Sequence, residues 1–144
     1  MSPAHAYTNP MDESRHVSVW MDVAPDVAYA IAADPEQLPR WASGLAAGGL
    51  RQTADGWVAD SPMGQVTVEF APANEYGVLD HVVRLPSGEA VYNPLRVIPA
   101  GEGQPRCEVV FTVRRQPGHT DEQFASDVAT VAADLDRLRQ LVED

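Results

Sequence analysis

Along most of the chain apolar side chains fall at every second position, and after residue 118 they fall at every third or fourth. The change of period separates a run of strands from a closing helix. HVSVWMDV (16–23) predicts a first strand with Val17, Val19, Met21 and Val23 on one side. Ala24-Pro25 ends it, and Pro25 suits the first position of a helix, with Asp26 in the anion-favouring first turn and Val27, Ala30 and Ile31 as a short apolar face. Asp34-Pro35 repeats that signal, so PEQLPRW predicts a second short helix, stopped near Pro39 and covered by Trp41. From Gly44 to Gln116 the pattern is an antiparallel meander of six strands. Its turns are placed at Asp55-Gly56, Met63-Gly64, Asn74 to Gly77, Ser87-Gly88 and the loop AGEGQP. Residues 1–14 have no apolar period and read as an irregular arm.

After Gln116-Pro117-Gly118 the period is helical. Thr120 with Gln123 three positions on has the form of a capping box, and Asp121 and Glu122 favour a helix start. Phe124, Val128, Val131, Leu135, Leu138 and Val142 form one stripe. With only about three heptads available, the stripe reads as a face packed on the sheet and not as a coiled-coil seam.

Composition narrows the classes. A chain of 144 residues with 44% hydrophobic and 22% charged side chains is long enough for one domain with a core. A formal charge of -11 opposes binding to nucleic acid or to an anionic membrane surface. No apolar run approaches the ~20 residues that span a bilayer, so no membrane insertion is expected, and cytoplasmic localisation is the default. Cys107 is the single cysteine, which excludes an internal disulfide and a thiolate-rich metal site. All ten cationic residues are arginine, so no lysine Schiff base or lysine base can operate. His5, His16, His81 and His119 are scattered without HxH or HExxH spacing, so neither a metal nor another cofactor is expected. There is no GxSxG elbow for a serine hydrolase.

The layout of strand, two short helices, six-stranded meander and long C-terminal helix resembles the START-like, or SRPBCC, superfamily. The segments APDVAYAIAADPEQLPRW, VLDHVVRLPSG, PLRVIP and VFTVRRQPG are similar to its bacterial polyketide-cyclase-like members, and the resemblance covers residues 16–142. It implies an α+β helix-grip fold: a curved seven-stranded antiparallel sheet wrapped around the C-terminal helix, with residues 15–144 as one ligand-binding domain. It further implies a cavity for apolar ligands between sheet and helix, and it carries no catalytic motif over to this chain. Both monomers and dimers occur in the superfamily, which leaves the oligomeric state open.

The strand pattern also sorts side chains by face. Two-residue turns at Met63-Gly64 and Ser87-Gly88, with a four-residue loop from Asn74 to Gly77, place Trp57, Phe70, His81, Tyr92, Arg96 and Ile98 on the apolar inner side. Asp60, Thr67, Glu69, Asp80 and Arg84 fall on the outer side, with Asp80, Arg84 and Glu69 as a solvated ion-pair face. Pro94 interrupts this scheme, because a bulge there would turn Arg96 to the other face. An inward His81 either packs as a satisfied core residue or lines a binding cavity. Tyr92 either buries its ring and bonds its hydroxyl to backbone or meets a ligand, while Trp57 and Phe70 either pack or stack on a flat ligand. Arg96 inside an apolar cup must meet an acid, reach solvent at the rim, or take a ligand's anionic group.

Three functions are compatible with these residues. The first is binding of a small hydrophobic molecule, aromatic, polyketide-like or lipid-like, by His81, Tyr92, Arg96, Trp57 and Phe70. The second is a cyclase or dehydratase with His81 as general base and Tyr92 or Arg96 stabilising enolate charge. The third is a protein-partner or antitoxin-like module whose acidic surface meets a basic protein and whose cavity is vestigial.

Overall fold

The computed structural model describes residues 12–46, 48–54 and 56–144, so most of the N-terminal arm and the Asp55 half of one turn lie outside the described residues. The chain begins with strand β1 (Ser14–Met21), which starts two residues earlier than expected. Helix α1 (Pro25–Ala32) has Pro25 and Asp26 in its first turn, as Ala24-Pro25-Asp26 foretells. Two single-turn helices follow, α2 (Leu38–Trp41) and α3 (Ser43–Ala46), the second of them without a forerunner in the apolar pattern.

The meander comprises β2 (Leu50–Thr53), β3 (Gly56–Ser61), β4 (Gly64–Phe70), β5 (His81–Arg84), β6 (Ala90–Asn93), β7 (Leu95–Pro99) and β8 (Cys107–Arg114). Helix α4 (Asp121–Glu143) closes the fold. Its capping box is formed, with Thr120 Oγ1 accepting the Gln123 N–H and Gln123 Oε1 accepting the Thr120 N–H. Along its stripe Phe124, Leu135, Leu138 and Val142 are buried. Leu135, Leu138 and Val142 join Met21, Val66, Val68, Leu95, Val97 and Val109 of the strands in one core, where each fully buried leucine contributes roughly 1.5–3 kcal/mol.

One expectation is corrected here. In place of a single seven-stranded sheet, the described strands form a five-stranded sheet, β2-β3-β4-β5-β6, and a three-stranded sheet, β1-β8-β7, both antiparallel. The cause is Pro94. The segment 90–99 pairs with β5 through its first half and with β8 through its second, and the proline between them has no N–H to give to a ladder. The two sheets stay joined at this seam, where Leu79 N donates to Leu95 O and Val97 N donates to Gly77 O, both at 2.8 Å.

Register decides which side chains face inward. Phe70 pairs with His81 across β4 and β5, as the four-residue loop predicts. Asn74 shapes that loop by accepting the N–H groups of Tyr76 and Val78 on its side-chain oxygen. At β3 and β4 the pairing is Ser61 with Gly64 and Trp57 with Val68, two residues from the expected register, which leaves the faces unchanged. At β5 and β6 the slip is one residue. His81 pairs with Asn93 and Val83 with Val91, so Tyr92 stands opposite Val82 on the outer side. The loop holds three residues, Pro86-Ser87-Gly88, closed by Gly88 N donating to Leu85 O at 2.9 Å and Leu85 N donating to Glu89 O at 2.8 Å. Gly88 at φ 92° supplies the left-handed residue such a loop needs.

Among the described residues no helix is long and apolar enough to cross a membrane.

Candidate functional site

Between the sheet and α4 lies a pocket of about 370 Å³, within the size range of small-molecule sites. Strands supply Phe70, Leu79, His81, Val83 and Phe111, the short helices supply Leu38 and Trp41, and α4 supplies Val131 and Leu135. Its outline also includes Glu89, Arg114, His119 and Asp127.

His81 is the buried titratable group on the sheet side. Alternation along β5 turns it inward between two aromatic rings, with Phe70 at 6.1 Å and Phe111 at 5.8 Å between centroids. Its Nδ1 lies 3.1 Å from Leu79 O. A carbonyl only accepts, so Nδ1 carries the proton and Nε2 of the neutral ring is left with a free lone pair. Burial pushes the imidazole pKa below its usual value, and the Leu79 carbonyl and the nearby Asp80 charge oppose this only in part. The result is a neutral histidine of fixed tautomer on the pocket wall.

Asn93 is the residue that strand patterning missed. It stands opposite His81 on the same face, lines the pocket, and makes no side-chain hydrogen bond among the described residues. Trp41 lines the pocket too, buried, with its Nε1 lacking a hydrogen-bond partner. Asp134 on α4 is occupied: its Oδ1 accepts the Ser43 N–H at 3.2 Å, the Ser43 hydroxyl at 2.7 Å and a guanidinium N–H of Arg137.

The placement of Tyr92 and Arg96 inside is corrected. Both follow from the one-residue slip at Pro86-Ser87-Gly88, since alternation then carries Val91, Asn93, Leu95 and Val97 inward and Tyr92, Arg96 and Ile98 outward. No bulge occurs at Pro94, and the same register joins His81 with Asn93 and Val78 with Arg96. On the outer side Arg96 meets an acid, Asp80, which is buried and not part of a solvated face. Arg96, helped by the Tyr92 hydroxyl and the Leu95 N–H and opposed by burial, holds the Asp80 carboxyl well below the usual carboxylate range. The same bond to Asp80 raises the Tyr92 phenol. The expected solvated pair of Arg84 with Glu69 is present at 3.7 Å. Of the two other candidates, Phe70 lines the pocket, while Trp57 packs against the core without reaching it.

Among the described residues, no three His, Cys, Asp or Glu side chains group to hold a metal ion.

No family model and no curated protein matches the chain. Solved structures do. An uncharacterized protein from Bacillus thuringiensis superposes with TM-score 0.69 at 12% identity, over 92% of this chain and 100% of that one. A START superfamily protein from Mycobacterium smegmatis superposes with TM-score 0.63 at 13% identity, over 90% and 97%. Truncated norcoclaurine synthase from Thalictrum flavum superposes with TM-score 0.62 at 16% identity, over 94% and 97%, and the synthase has also been seen in complex with dopamine and hydroxybenzaldehyde. At such identities the likeness concerns architecture alone. With antiparallel sheets closed over a long C-terminal helix and these neighbours, the chain has the START-like, SRPBCC fold.

Proposed function

We propose that this protein binds a small, mostly apolar molecule with a flat or aromatic body in the pocket between sheet and α4. The observation that carries the reading is His81: Nδ1 is committed to the Leu79 carbonyl, and Nε2 is left as an acceptor on a wall otherwise built from side chains such as Phe70, Leu79, Val83 and Phe111. An apolar enclosure with few polar anchors is the usual build of a small-molecule site. Norcoclaurine synthase, a structural neighbour, holds two aromatic molecules, which supports an aromatic occupant here. The open pocket also weighs against a partner-binding module with a filled, vestigial core. Native mass spectrometry of protein purified without denaturant tests the proposal. A discrete adduct lost on denaturation supports it and gives the ligand's mass. A uniformly unliganded protein that also takes up no aromatic probe on titration refutes it.

A second reading, an enzyme of the cyclase or dehydratase type, is favoured by the neutral state and fixed tautomer of His81, since Nε2 is then ready to accept a proton. Tyr92 and Arg96 have no part in it, and charge developing on a substrate oxygen would fall to Asn93. His81→Gln separates the two readings. A binder keeps most of its affinity, whereas an enzyme loses rate by roughly two orders of magnitude or more.

A further inference from the structure

We infer that His119, oriented by Asp127, is a proton-transfer group at the edge of the pocket, acting on a ligand that carries an acidic C–H or O–H. This rests on the ligand-binding reading above and does not depend on whether His81 also acts as a base.

Both residues line the pocket. His119 lies in the loop between β8 and α4, and Asp127 stands two turns into α4, so the start of the helix brings Nδ1 of the ring to 3.4 Å from Asp127 Oδ2. The backbone that carries the imidazole is firmly held. The His119 carbonyl accepts from Arg115 Nε at 3.2 Å and Nη2 at 2.8 Å, and the His119 N–H donates to Gln116 O at 3.1 Å. Arg115 is itself anchored by Glu13 and Asp121, and Thr120, next in the chain, is locked in the capping box. A group that moves protons needs such a fixed support.

The two ring nitrogens have different surroundings. Nδ1 is shut off from solvent and faces the Asp127 carboxylate, which only accepts, so Nδ1 carries the proton. Nε2 makes no hydrogen bond among the described residues and is not shut off, and the side chain keeps 31% of its surface exposed. Its lone pair is therefore free to take a proton. When it does, the carboxylate lies beside the cation that forms, which is the arrangement of a base oriented by a third group. His81 lacks that second half. Its Nδ1 meets a neutral carbonyl, and burial between Phe70 and Phe111 opposes a positive ring. His119, partly exposed, can also return its proton to water between turnovers.

Glu89 and Arg114 border the same pocket with opposite charges, so neither sign of ligand charge is required and a neutral probe suffices. 5-Nitrobenzisoxazole is flat, uncharged and carries one acidic C–H. His119 Nε2 takes the proton from its isoxazole carbon, the C–H electron pair becomes the third bond of a nitrile, the ring N–O bond breaks, and 2-cyano-4-nitrophenolate leaves with the negative charge on oxygen. Phenolate absorbance follows the reaction with the intact protein at neutral pH, and saturable acceleration over buffer is expected. His119→Ala should lower kcat by roughly a hundredfold with KM little changed, and added imidazole should restore part of the loss, which a ring that only packs would not permit. Asp127→Asn should lower kcat by roughly tenfold at unchanged KM. Either variant decides the matter where the other fails to fold. Full activity in both variants, or loss of activity in His81→Gln alone, overturns the inference while the pocket reading stands. A probe that binds by calorimetry yet reacts no faster than in buffer does the same. A probe that neither binds nor reacts overturns the pocket reading itself.

Discussion

Asp80 and Arg96 meet across the outer surface of the sheet in a two-pronged ion pair, with Arg96 Nε 2.9 Å from Asp80 Oδ1 and Nη2 2.8 Å from Oδ2. The pair sits at the seam between the two sheets, where the register sets Asp80 opposite Pro94. Proline offers no N–H there, and the Asp80 carboxylate compensates by accepting the Leu95 N–H at 3.0 Å and the Tyr92 hydroxyl at 2.7 Å. One residue further, His81 enters the pocket from the opposite face. The carboxylate outside therefore fixes the backbone from which the imidazole inside projects.

Asp80→Asn should destabilise the fold by about 2 kcal/mol at neutral pH, since it keeps the shape but removes the charge that three donors share. The loss stays below that of breaking a fully buried pair because the Arg96 side chain is half exposed. The pH dependence has a definite sign. The folded carboxyl is held well below the usual range, so under acid the unfolded chain binds the proton first. This stabilisation is complete above the unfolded value of about 3.9 and is lost as pH falls through and below it. Urea denaturation of both proteins at pH 7 and pH 3 should show the gap between them narrowing in acid, and an unchanged gap would remove the charge from the explanation.

His81 should impose its own slope at milder pH. Its folded pKa is lowered by burial, so below about 6.5 the unfolded chain takes up a proton that the folded chain refuses. Stability then falls as pH falls from that point, with a slope approaching about 1.4 kcal/mol per pH unit. His81→Gln removes the titrating group, so the stability difference between the two proteins should vary with pH between 7 and 5 by this amount. A constant difference would mean that the imidazole protonates as readily in the folded protein as in the unfolded one.

The helix cap gives a simpler expectation. Thr120→Ala deletes the oxygen that accepts the Gln123 N–H at 3.1 Å, and the first turn of α4 should lose about 1 kcal/mol. Chemical denaturation checks this, and Thr120→Ser, which keeps the oxygen, should recover most of it.

How far the sequence reveals this molecule depends on whether a feature is local. The Thr120–Gln123 box, the Pro25 helix start and the α4 stripe each depend on residues within a few positions of one another, and each is found where the pattern puts it. Inward placement of His81 is equally legible, because the Asn74 loop sets the register between β4 and β5. Beyond the next turn the reading fails. Treating Ser87-Gly88 as the whole turn omits Pro86, whose fixed φ suits the first corner of a three-residue loop ending in left-handed Gly88. A slip of one residue exchanges the faces of the entire segment 90–99, so Tyr92 and Arg96 leave the interior and Asn93 takes their place. Pro86 was the available signal. The unpartnered indole N–H of Trp41 had none, since a missing partner is a property of the folded surroundings and not of any motif.

That exchange of faces can be tested directly with one substitution on each side of the strand. Val91 lines the pocket, whereas the neighbouring Tyr92 is exposed on the outer face. Val91→Trp should fill space that a ligand needs and weaken binding of an aromatic probe by at least about tenfold, because overlap with a bulky ring cannot be relieved in a packed wall. Tyr92→Trp adds comparable bulk one residue away and should leave the same affinity within about twofold, although it disturbs the bond to Asp80. Circular dichroism on both variants separates blocked binding from lost structure. The opposite result, with Tyr92→Trp blocking and Val91→Trp permissive, would restore the two-residue turn and return Arg96 to the interior, where an anionic ligand would then be the better fit.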